Sequence, residues 1–250
     1  MQMIEKLKSL LFGADDEYDN EVWYHKNGKV MYEGSIKGAN FHGFGKYYND
    51  EGNLCYEGPF SQGLPHGKGK AYLANNLVYE GDFYKGQRTG IAICHFEDGS
   101  YYEGHFSNGI MEGKGVLHSA DGTVYEGNFL NNRMQGHGKA QYPNGDLYEG
   151  EFRDGIETGM GKLTIKDGVY EGEVVGGIPH GKGAFTWPNG SVYRGDFVEG
   201  LMTGKGIITY ANRHKYIGEF LNGKKHGYGT YQDEKGNQYE GQFEDDYMVD

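Results

Sequence analysis

The triplet Tyr-x-Gly recurs with its tyrosine at Tyr32, Tyr56, Tyr79, Tyr102, Tyr125, Tyr148, Tyr170, Tyr193, Tyr216 and Tyr239, at steps of 22 to 24 residues. A period of that size means that each unit is one supersecondary element, burying its apolar side against copies of itself. Eleven residues after each of the first nine tyrosines stands a glycine, from Gly43 to Gly227, and two further on a second one, with Ala92 the exception. Of the 45 glycines, 43 fall into this register, leaving out only Gly13 and Gly176. With five prolines and 22 tyrosines, neither collagen, a Pro-rich tract nor a disordered chain fits. Glycine and tyrosine together read as a β protein with many tight turns.

Inside the period, phenylalanine stands four residues after the tyrosine at Phe60, Phe83, Phe106, Phe129, Phe152, Phe197, Phe220 and Phe243, with Ile36 and Val174 in the remaining units. Between them, one residue after the tyrosine, is Glu in eight of ten units. That is a period of two: a strand with one buried and one wet face. A second strand is expected after the Gly-x-Gly, with apolar residues such as Leu163, Phe185 and Ile208. Its glycines would leave room for aromatic rings of neighbouring strands. Pairs such as Asp98-Gly99 and Asn144-Gly145 are tight-turn signals, so each unit is expected to be a hairpin of about five residues per strand.

The pattern Tyr-Glu-Gly-x-Phe, five or six residues, then Gly-x-Gly resembles the MORN repeat (membrane occupation and recognition nexus). Residues 56–78, 125–147 and 193–215 carry it clearly. The resemblance covers residues 32–250, as nine full units and a truncated tenth. Departures are Ala92, Arg194 and Ile217 in place of Gly, Glu and Glu. Residues 14–31 form a linker and half repeat, with Asn27-Gly28 as its turn. The resemblance implies an all-β, elongated, single-sheet antiparallel meander or solenoid of about ten stacked hairpins. At ~4.8 Å between strands the array would be about 90–100 Å long, a scaffold shape without a catalytic pocket.

Met3, Ile4, Leu7, Leu10 and Leu11 fall at helical spacing, and Gly13 is a suitable stop. Residues 1–13 are therefore expected to form a short amphipathic helix that caps the open edge of the first strand; an interfacial membrane helix or a dimerisation helix are the alternatives. No run of ~18 apolar residues exists.

A search for chemistry returns no phosphate loop, zinc-protease motif, nucleophile elbow or calcium loop. His42, His66, His180 and His226 recur one residue before the Gly-x-Gly, but a unit or more apart and without a second ligand nearby, so they read as half-exposed turn residues. The recurrent glutamates form a ladder of equivalent carboxylates, whereas acid–base catalysis needs two in different environments. Lys68, Lys114, Lys182 and Lys205 are expected opposite some of them. No catalytic, cofactor-binding or metal-binding residue is therefore assigned, and no cofactor.

The net charge of −12 argues against nucleic acid and disfavours anionic membrane lipid as partners. Cys55 and Cys94 cannot make a disulfide framework, which points to a reducing, cytoplasmic setting, with attachment to cytoskeleton or membrane left open. The expected function is a non-catalytic protein–protein interaction scaffold or adaptor, monomeric or an end-to-end dimer. The alternatives are a phospholipid-associated tethering protein, and a regulatory relative of MORN-containing enzymes such as lipid kinases. Apolar residues recur eight and nine positions after the tyrosine, in what reads as a turn: Leu64-Pro65, Ile110-Met111, Met134, Ile156, Ile178-Pro179 and Leu201-Met202. Turns are normally polar, so Ile110, Met111, Met134, Ile156, Ile178, Leu201 and Met202 are the candidate partner-binding residues, aligned along one rim to receive a helix or peptide. A plainer reading has each tip packing on the next turn as a seam.

Overall fold

Among the described residues consecutive hairpins carry the strands, and two kinds of tight turn join most of them. The computed structural model describes residues 19–249. The helix expected over residues 1–13 lies outside them. Among the described residues there are only strands and turns, 22 strands in all.

Two compact units divide the chain at Ile110. The first contains β1 (Asp19–Tyr24), β2 (Val30–Lys37), β3 (Asn40–Tyr48), β4 (Leu54–Ser61), β5 (Leu64–Pro65), β6 (Gly67–Leu73), β7 (Asn76–Tyr84), β8 (Gln87–His95) and β9 (Tyr101–Ser107). The second begins within β10 (Ile110–His118) and continues with β11 (Val124–Leu130), β12 (Arg133–Gln141), β13 (Leu147–Arg153), β14 (Ile156–Ile165), β15 (Gly168–Val175) and β16 (Ile178–Thr186). It ends with β17 (Val192–Val198), β18 (Leu201–Thr209), β19 (Lys215–Leu221), β20 (Lys224–Gln232), β21 (Gln238–Glu244) and β22 (Tyr247–Val249). In each unit the strands pair antiparallel with their neighbours in chain order, except that β5 and β6 both pair with β4 as two pieces of one interrupted strand.

The strands are longer than the sequence pattern implied. In the repeat from Tyr125, β11 has seven residues and β12 nine. Gly-x-Gly lies in the middle of the second strand and does not precede it. The residues joining the two strands are Asn131 and Asn132, both at positive φ (51° and 65°), with Leu130 paired to Arg133. Two successive positive φ values make a type I′ turn, whose twist matches the strands it joins. Lys85-Gly86, Asn108-Gly109, Asp154-Gly155, Glu199-Gly200 and Asn222-Gly223 repeat it. The pairs just before the next tyrosine, such as Asp98-Gly99, instead serve the other connection. At Asp98-Gly99 the Phe96 amide donates to the Ser100 carbonyl at 2.9 Å and Asp98 Oδ1 accepts from the Ser100 amide at 2.9 Å. Only Gly99 there has positive φ, +88°, as in a three-residue loop closed by a left-handed glycine.

A register shift falls in the middle of each hairpin. Gly127 pairs with Gly138, but Asn128 pairs with Gln135, so one step on β11 spans three on β12. The two extra residues, Gly136 and His137, preserve the alternation of faces. Gly136 has φ +69°, and nothing lies within 4 Å of where its Cβ would be. Conformation alone requires glycine there.

Gly127 and Gly138 are glycine for a different reason. A Cβ on either would meet the Tyr125 ring at 2.2–2.7 Å. The ring lies across the glycine of its own strand and that of the next strand, where only backbone leaves room. The anchor tyrosines from Tyr32 to Tyr216 are 0–5% exposed. Where an anchor's own repeat and the next both carry phenylalanine, the ring is wedged between the two: Tyr125 meets Phe129 edge-on at 5.3 Å and Phe152 of the following repeat at 4.8 Å. Tyr193 does the same with Phe197 at 5.1 Å and Phe220 at 4.9 Å. This ladder, with edge-to-face contacts, is the core of each unit.

Candidate interaction surface

With the tyrosines, phenylalanines and inner glycines on one face, alternation puts the residues one, three, five, eight, twelve and fourteen places after the tyrosine on the other. Its central row is a charge ladder. Glu126 pairs with Lys139, Lys139 with Glu149, Glu149 with Lys162 and Lys162 with Glu171. Lys162 and Glu171 approach to 3.2 Å, as do Lys70 and Glu80. The lysines opposite these glutamates are thus Lys46, Lys70, Lys139 and Lys162, fourteen residues after the tyrosine. The lysines inside Gly-x-Gly face other partners: Lys182 is opposite Asp196, at 2.5 Å, and Lys205 opposite Glu219. These pairs are solvated and worth ~0–1 kcal/mol each.

The seven apolar residues singled out from the sequence do not share a face. They also stand at strand starts and not in turns. Met134 is paired with Phe129 and Met202 with Phe197, so these methionines lie beside the aromatic core and are half-buried. Met111 is half-buried too. Ile156, Ile178 and Leu201 belong to the opposite face and are 58%, 49% and 48% exposed; Ile110 is half-buried. Sequence reasoning missed their companions across the type I′ turn. Val175 pairs with Ile178 and Val198 with Leu201, and both valines are exposed (59% and 49%). The signal was a hydrophobic residue five places after the tyrosine, as at Leu130 and Leu221.

Turn stacking accounts for the backbone here. The Gly155 amide donates to the Met134 carbonyl at 2.9 Å, Gly200 to Pro179 at 3.0 Å and Gly223 to Met202 at 2.9 Å. The Ile178 Cγ2 methyl lies 3.6 Å from where a Cβ of Gly200 would sit. A seam therefore exists, made by the ninth position's backbone, while the eighth position's side chain stays open to solvent.

The ionisable groups that depart from ordinary values are mostly core tyrosines. Burial pushes Tyr32, Tyr56, Tyr79, Tyr102, Tyr125, Tyr170, Tyr193 and Tyr216 up to about 12. Burial also raises Glu157, which accepts from the Tyr142 hydroxyl. The four recurrent histidines stand in or beside the second strand of their hairpins, not in turns; the His66 ring lies 5.4 Å from Tyr84, and the His180 carbonyl accepts from Tyr170 at 3.2 Å. Among the described residues no group of three or more His, Cys, Asp or Glu is placed to hold a metal ion. No helix among them is long and apolar enough to cross a membrane.

A family model of the MORN repeat matches nine consecutive stretches: residues 32–53, 56–78, 79–101, 102–124, 125–147, 148–169, 170–192, 193–215 and 216–238. The chain belongs to the MORN-repeat family. No curated protein matches it. Among solved structures it is similar to the wild-type TCP10 domain of Danio rerio CPAP, at 12% identity and a TM-score of 0.43, covering 89% of this chain and 100% of that one. It is also similar to the Drosophila melanogaster SAS-4 TCP domain in complex with a proline-rich motif of Ana2, at 12% identity and a TM-score of 0.38, covering 61% of this chain and 77% of that one.

Proposed function

We propose that this chain is a non-catalytic scaffold or adaptor in the cytoplasm, which binds protein partners on the face opposite its aromatic core. The exposed apolar residues flanking the type I′ turns carry this reading. Val175, Ile178, Val198, Leu201 and Leu221 are each 47–59% exposed, and the fold does not need them, because other repeats place Ser61, Ser107 or Arg153 where the valines and Leu221 stand, and Gln87, Arg133 or Lys224 where Ile178 and Leu201 stand. Exposed apolar rows of this kind mark binding surfaces. A partner helix or peptide would cover them. The net charge of −12 disfavours an anionic membrane as the occupant.

The test is a pull-down from the native source with the chain as it stands and with Ile156→Thr, Ile178→Thr and Leu201→Thr combined. Threonine keeps strand propensity, so the melting temperature should hold. Loss of the captured proteins supports the reading; a set retained unchanged by the variant overturns the rim as the site.

A further inference from the structure

Two of the departures from the repeat pattern, Arg194 and Ile217, replace the glutamate that eight of ten repeats carry at that position. They fall in one row, separated by a single strand. Arg194 is paired with Ile207, and Ile207 in turn with Ile217. Elsewhere every second member of this row is Glu, set against Lys or, at Ile93 and Val116, an aliphatic residue; here it runs Ala184, Arg194, Ile207, Ile217 and Thr230, with no carboxylate. The fold tolerates the Glu/Lys form, so it does not demand this one. Ile207 and Ile217 are 41% and 48% exposed, a cost in water that burial by a partner would remove.

The same residues line a groove of about 680 Å³ crossing β16 to β20, floored by the backbone of Gly183, Gly195, Gly206 and Gly218. Its walls add Tyr228, 54% exposed, and Lys182, Lys205 and Glu219. Three cations thus face one lining carboxylate, with Asp196 paired to Lys182 at the edge. Arg194 makes no ion pair with any described residue. The corresponding groove of the first unit, about 570 Å³, has the opposite balance: Glu57, Glu80 and Glu103 against Lys68 and Lys70. In a chain of net charge −12, the second groove is a local reversal of sign beside an apolar pair.

We propose that this groove binds an extended, acidic peptide segment of a partner protein, placing an aliphatic side chain on Ile207 and Ile217 and a carboxylate on Arg194. Five strands at ~4.8 Å spacing span about 19 Å, which a segment of about six residues at ~3.3 Å each would fill. A guanidinium grips a carboxylate through two parallel hydrogen bonds, which fixes the segment's register. A concave floor of bare backbone admits a narrow chain, while a flat bilayer surface would meet the acidic face around it. The inference deepens the scaffold reading and rests on it, but not on the rim at Ile178 and Leu201.

The decisive variant combines Arg194→Glu and Ile217→Glu, which restores what the other repeats carry at two exposed positions and so keeps the fold, as an unchanged melting temperature verifies. A displayed library of random hexapeptides is panned on the full chain. The proposal expects enriched peptides rich in Asp and Glu with one aliphatic residue. They should weaken with added salt and bind the double variant about tenfold or more weakly, the worth of one good charged contact. Peptides of other chemistry, peptides held equally by the variant, or no enrichment overturn it. So does phosphatidylserine-vesicle binding that the variant loses while no peptide is enriched. A pull-down that recovers proteins equally with chain and variant sinks the groove and leaves the scaffold reading standing. Recovery of no protein from the native source sinks the scaffold reading itself.

Discussion

The Tyr125 hydroxyl donates to the carbonyl oxygen of Asn128 at 3.0 Å, where β11 steps out of register with β12. A bulge leaves ladder groups without their strand partner, and a buried carbonyl needs a donor. The anchor ring runs along its own strand over Gly127 and delivers its hydroxyl to that point. Anchors from Tyr32 to Tyr216 make the same bond three residues on, at 2.6–3.1 Å. This explains why the anchor is tyrosine while the partner ring four residues later is phenylalanine.

Tyr148→Phe should therefore destabilise although it keeps the ring. The hydroxyl serves the Glu151 carbonyl at 3.1 Å and the Thr158 carbonyl at 3.3 Å. Its loss should cost about 1 kcal/mol in denaturant unfolding, the range for one hydrogen bond whose acceptor is only partly shielded from water. A change under about 0.3 kcal/mol would mean that water replaces the hydroxyl there.

Gly136 isolates the conformational term. With φ at +69° and open space where a Cβ would go, Gly136→Ala should cost ~1–2 kcal/mol from the left-handed backbone alone. Gly136→Asn should cost less, since asparagine tolerates that region. Equal losses for both would point to a steric cause.

The buried tyrosines set an alkaline limit. Their folded values stand at about 12 against an ordinary 10, so the neutral phenol is the form the fold favours. The stability this provides is complete below pH 10 and is lost as pH rises through about 12. Circular dichroism should hold to about pH 10 and then collapse together with a cooperative rise in tyrosinate absorbance from the released core anchors, beyond that of the surface tyrosines. Cooperative loss of the sheet below pH 10, before tyrosinate appears, would show that other groups control the transition.

The repeat, its strands and its aromatic row were legible because each is written in residue type at fixed spacing. The bulge was not. Counting by two along Gly136-His137-Gly138 assumes one residue per ladder step, whereas three residues on β12 oppose a single step on β11. That hidden shift made Ile178-Pro179 and Leu201-Met202 look like turn tips, when they begin strands β16 and β18 and divide between faces. The groove's pieces were visible as departures at Arg194 and Ile217, yet nothing along the chain shows that Ile207 stands between them. Only pairing does.

That division yields the final prediction. Met134 and Met202 lie against Phe129 and Phe197 on the aromatic face, half-buried, whereas Ile178 and Leu201 are about half exposed on the other. Met134→Thr and Met202→Thr should each cost about 1–2 kcal/mol, the lower part of the large-to-small range because burial is partial. Ile178→Thr and Leu201→Thr should stay within about 0.5 kcal/mol, as surface changes in a strand do. Partner capture should show the reverse order, retained by the methionine variants while folded and lost with the isoleucine and leucine variants. If all four positions lower stability alike, the open side chains belong to the turn seam after all, and the rim is structure rather than a docking surface.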